Sequence, residues 1–142
     1  MTKPLALNPT VGVWKLNSEK SDFALGPEPK SSVMRIEQWE DGLRMVHDTV
    51  FALGNQLHVE SAYRLDGRDY GVDGSPIADT VSARRITEWK TETAWRKQGN
   101  VMITARAIAS LDGRTLRVIS TGSGVPGRMA DDYLVYERQS MT

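Results

Sequence analysis

The two histidines of the chain, His47 and His58, stand on one stretch, LRMVHDTVFALGNQLHVESAYRLDGRD (43–69), together with Asp48, Glu60 and Tyr63. Histidine exchanges protons near neutral pH, and with carboxyl and phenol groups beside it the set could transfer protons without a cofactor. A general base here needs one imidazole inside the fold, its second ring nitrogen oriented by a partner, and a ligand proton within hydrogen-bond reach. Asp48 is a further candidate if it is enclosed, because desolvation raises a carboxyl pKa. Ser61 and Asp48 have no histidine between them, so a nucleophilic triad is not expected. The histidines and Glu60 are side chains that zinc or iron accept, but their cross-strand spacing is diagonal and no third histidine exists, so no metal is expected.

A hairpin must position these residues. Gly54 and Asn55 accept the positive φ that a tight turn requires, while Val, Thr, Phe and Tyr fill the flanking strands. With Leu53 opposite Gln56 across a two-residue loop, Thr49 faces Glu60, Phe51 faces His58 and His47 faces Ala62. Both histidines, Glu60 and Arg64 then share one face, and the other carries Val46, Asp48, Val50, Leu57, Val59, Ser61 and Tyr63. Pattern alone leaves open which face looks inward.

The remaining chain repeats the strand signal. VGVWKL (11–16) is the first strand, where Gly12 permits a close backbone approach and Trp14 supplies a large apolar anchor that seals one end of the core. NSEKSDFALGPEPKSS (17–32) holds two prolines and reads as a lid or long connection, with a helical turn at most over 18–23. From Ser32 onward, short strands alternate with turn signals such as Asp41-Gly42, Asp66-Gly67, Gly99-Asn100 and Asp112-Gly113. About ten short strands result, and no window sustains a 3.6-residue period. The fold class expected is all-β, an up-and-down antiparallel barrel of 8–10 strands with little helix. GSGVPG (122–127) has glycines suited to a phosphate cradle but neither a lysine nor a following helix, so it reads as a flexible hairpin near a cavity mouth.

Composition sets bounds on partners. A chain of 142 residues is expected to form one domain, large enough to bury roughly two thirds of its unfolded surface. Its 18 basic and 18 acidic side chains cancel without long single-sign runs, so neither nucleic acid nor a membrane surface is an expected partner. The absence of cysteine removes disulfides and thiolate chemistry, and the N-terminal segment lacks a signal-peptide core, so a cytoplasmic location is expected.

Gly12-Val13-Trp14 and Leu134-Val135-Tyr136-Glu137-Arg138 resemble the two ends of a calycin barrel, the group that contains lipocalins and intracellular fatty-acid-binding proteins. VWKLNSEKSDF, GPEPKS, LDGRDYGVDGSP with ADTVSARRI, and VYERQ resemble a bacterial lipocalin-like family over nearly the whole chain. That resemblance implies a barrel around a cavity, with Trp14 plugging the closed end and Arg138 stacked on its ring, a contact worth roughly 0.5–2 kcal/mol. Two departures stand out. The segment after the first strand is too short for the helix pair of fatty-acid-binding proteins, and the arginine two residues before their final-strand tyrosine is here Leu134, ahead of Tyr136.

The function expected is therefore binding of a small hydrophobic or aromatic molecule in the barrel, with no cofactor, by a monomer or homodimer. Trp39, Phe51, Trp95 and Tyr136 offer apolar and aromatic contact surface, and of the neighbours Arg84 and Arg85 one points inward if the strand is fully incorporated, with Arg85 the candidate for a polar ligand group, whereas near an open rim it reaches water. The alternative is a cofactor-independent lyase, isomerase or cyclase whose proton transfers use His47, His58, Asp48, Glu60 or Tyr63.

Overall fold

A computed structural model describes residues 8–24, 27–125 and 128–140. The chain forms ten strands: β1 (Gly12–Leu16), β2 (Ser31–Trp39), β3 (Gly42–Val50), β4 (Gln56–Arg64), β5 (Tyr70–Asp73), β6 (Thr80–Thr87), β7 (Lys90–Lys97), β8 (Asn100–Ala109), β9 (Thr115–Val125) and β10 (Arg128–Ser140). Each pairs antiparallel with its sequence neighbours, and β1 pairs with β10, closing an up-and-down barrel. Closure leaves no bare edge. Among the described residues no helix is long and apolar enough to cross a membrane.

Alternation builds the interior. On β2, Ser32, Met34 and Ile36 are buried while Val33, Arg35 and Glu37 are exposed, the two-residue period of a strand with one face inside. Among the described residues of 17–30 the only regular element is a 3₁₀ turn, Ser18–Lys20, capped by the Asn17 side chain. The last two residues of GSGVPG, 126–127, and the N-terminal residues 1–7 lie outside the described residues.

Trp14 closes one end. It is wholly buried, and its indole nitrogen donates to the Thr10 carbonyl at 2.8 Å. Arg138 lies over the ring with Cζ 4.2 Å from its centroid, and the same guanidinium donates to the carbonyls of Val11, Pro9 and Gly113. Gly12 makes room for this: at φ +146° its hydrogen faces the Arg138 guanidinium, and a Cβ there would also stand 2.8 Å from the Ser140 carbonyl.

The central hairpin departs from the expected register. Val50 pairs with Gln56, Asp48 with His58 and His47 with Val59. Gly54 alone takes positive φ, +89°; its N–H donates to Phe51 O, and Phe51 N–H donates to Asn55 O. That is a three-residue loop ending on a left-handed glycine, which needs only one permissive residue where the two-residue turn needs two. The offset from the expected pairing is an odd number of residues, so the histidines part. His47 turns inward with Leu43, Met45, Leu57, Val59 and Tyr63, while His58, Asp48, Glu60 and Arg64 face outward.

β5 is the thinnest part of the wall. It contributes two paired residues to β4 and two to β6, whereas β3 and β4 pair along their whole length.

Candidate ligand cavity

The barrel encloses a cavity of about 510 Å³, within the range of small-molecule sites. Near the Trp14 end its wall is Leu43, Tyr63 and Leu116; at mid-height Met34, Met45, His47, Val59 and Tyr136; toward the mouth Phe51, Leu57, Trp95 and Ile103. The loop Ser75–Ala78 crosses the mouth, where Asp132 is also found. Most of this surface is apolar, so a bound apolar body would leave water on entering.

His47 is the principal polar group at mid-height. Strand pairing sets it between Met34 of β2 and Val59 of β4. Its Nε2 lies 2.6 Å from Ser32 Oγ and 3.5 Å from Tyr136 OH, and the two rings meet edge to face at 6.4 Å. Its Nδ1 has no hydrogen-bond partner among the described residues. Protein surrounds the ring, and this burial lowers its pKa despite the opposing charge of Asp48. The imidazole is therefore neutral, and the Ser32 and Tyr136 hydroxyls can rotate to suit either tautomer.

Ser32 was not expected among the site residues. It shares the alternating inward face of SVMRIEQ with Met34 and Ile36, and that pattern is the signal that identifies it.

Tyr63 lies deeper. Burial pushes its pKa up to about 12, and its hydroxyl has no hydrogen-bond partner among the described residues. Ser61, two residues earlier on β4, carries the one fully enclosed side-chain polar atom without a partner among the described residues. Trp95 donates its indole N–H to Thr93 Oγ1 at 2.9 Å, which fixes the ring against the wall. Of the expected contacts, Phe51, Trp95 and Tyr136 thus border the cavity. Trp39 lies at the β2–β3 turn opposite Gly42, away from it. Arg85 is exposed near the end of β6, where a bulge interrupts pairing, and it donates to the Glu88 carbonyl.

Outside the barrel, His58 stands between two carboxylates: Nδ1 meets Asp48, and Nε2 meets Glu60 at 3.0 Å. Because its two nitrogens point to opposite sides, the three groups do not converge on one point, and among the described residues no cluster is placed to hold a metal ion. The hydrogen bond to Asp48, then that to Glu60, raises the His58 pKa.

The two histidines should therefore titrate on opposite sides of the ordinary value near 6.5. The contribution of His58 to stability is complete below that value and is lost as pH rises through its folded pKa. For His47 the unfolded chain binds the extra proton, so stability falls as pH drops from about 6.5 toward its folded pKa. Imidazole NMR titration checks this, and a His47 midpoint at or above 6.5 would place that ring in bulk water.

No known protein family matches the chain, and no curated protein matches it.

Proposed function

We propose that the protein binds a small hydrophobic or aromatic molecule inside the barrel, as a lipocalin-like protein would. The observation that carries this reading is the mainly apolar space of about 510 Å³ inside the barrel. A barrel filled by its own side chains would have no such space. The lipocalin-like assignment draws further support from the chain ends, where Trp14 lies beneath the Arg138 guanidinium as the sequence resemblance implies.

Nile red, an uncharged dye that brightens in apolar surroundings, provides the test. Titration into the folded protein should saturate at one dye per chain, and unlabelled apolar compounds should displace it. Unsaturable or uncompetable fluorescence would overturn the reading.

A second reading, a cofactor-independent lyase, isomerase or cyclase, rests on His47 alone: a neutral imidazole with Ser32 on one nitrogen and, among the described residues, no partner on the other. Such an enzyme would use the same cavity, with His47 as the general base.

A further inference from the structure

The binding reading says little about what kind of molecule the cavity takes, but the distribution of charge and of unpartnered polar atoms along its wall says more. Among the described residues the wall contains no lysine or arginine. The guanidinium nearest the closed end, that of Arg138, is committed to Trp14 and three backbone carbonyls. The one carboxylate of the wall, Asp132, stands at the mouth and accepts from the Ala24 N–H. An anion entering this space would shed its hydration without meeting a counter-charge, and a cation would do so at depth.

Apart from Asp132, the polar side chains lining the space are uncharged, and they include small hydroxyls such as Thr91, Thr93 and Ser120 beside the rings of His47, Tyr63 and Tyr136. His47 lines the space at mid-height, and among the described residues its Nδ1 has no hydrogen-bond partner. Tyr63 offers a hydroxyl without a protein partner deeper in. His47 pairs with Val59, and Tyr63 is four residues farther along β4, about 13 Å at the strand rise. A hydroxyl that opens on the cavity without a protein partner can pair with a guest, which adds about one hydrogen bond to the affinity.

Resting on the binding reading, we propose that the cavity takes an uncharged, elongated apolar molecule with a hydroxyl or carbonyl at each end, one directed to His47 and the other to Tyr63. Ser32 acts here as a positioning residue, holding the imidazole so that its second nitrogen meets the guest.

Displacement of Nile red near neutral pH by 1,10-decanediol, 1-decanol and decanoate tests this, because the three share a ten-carbon body. The diol should bind most tightly and decanol about 3- to 10-fold more weakly, the worth of one ordinary hydrogen bond. Decanoate should be weaker than decanol by about 100-fold, since its charge finds no partner. Tyr63→Phe should bring the diol down to the level of decanol while leaving the melting temperature unchanged, because among the described residues the hydroxyl has no hydrogen-bond partner to lose. Decanoate binding as tightly as decanol, a diol no tighter than decanol, or a Tyr63→Phe variant that weakens all three alike would each overturn the proposal while leaving the binding reading standing. Failure of the dye itself to bind saturably would overturn both.

Discussion

Trp14→Ala is expected to destabilise the barrel by about 3–5 kcal/mol, the range for truncating a buried aromatic side chain. The melting temperature should fall by roughly 10–20 °C for a chain of this size. Three losses coincide at that position. The indole is wholly buried at the closed end; its N–H leaves the Thr10 carbonyl without a donor; and Arg138 loses the ring beneath it. The arginine would still bond to the carbonyls around it, so the damage should be to packing and not to strand register. Trp14→Phe should recover more than half of the loss, since it restores most of the ring surface but not the hydrogen bond. Urea unfolding of the two variants measures both values, and a cost under about 1 kcal/mol for Trp14→Ala would mean the plug is dispensable.

Ala105→Trp is expected to abolish ligand binding, with a loss of Nile red affinity of more than about 100-fold and little change in stability. Ala105 borders the cavity on β8, opposite Thr93 of β7 and Ser120 of β9, so an indole built there projects into empty space. Overpacking normally costs about 1–3 kcal/mol because neighbours must move. Here a void of about 510 Å³ receives the ring. The neighbour Arg106 points outward, where it pairs with Glu92 at 3.5 Å across an exposed surface. Arg106→Ala serves as the control and should leave both dye affinity and melting temperature unchanged, as exposed ion pairs contribute little. Undiminished dye binding by Ala105→Trp would place the dye elsewhere.

The strand order is legible from turn signals and alternation. TVSARRIT is the whole of β6, and the short DYGV segment supplies β5. The stacking of Arg138 on Trp14 is what the resemblance of the two chain ends to a calycin barrel implies. Hairpin register is another matter. Gly54-Asn55 permits a two-residue turn, yet a three-residue loop satisfies the same glycine with one left-handed residue and lets Phe51 border the cavity. Both loops are compatible with the local sequence, and the choice falls to packing across the barrel. Because strand faces alternate, that choice decides whether His58 is a cavity group or a surface one. It also hides Ser32, a residue type common in turns, whose importance arises only when β2 brings it beside His47.

The joining of β1 to β10 governs how the cylinder can assemble. Every other ladder links consecutive strands, most of them across a short turn, but the last one brings Leu16 against Tyr136, far apart in the chain. Loop-closure entropy is thus concentrated in a single step, and slow refolding should reflect the meeting of the two termini. A chain trimmed into β1 or β10 would lose that seam, leaving an open sheet whose two raw margins invite pairing with other molecules.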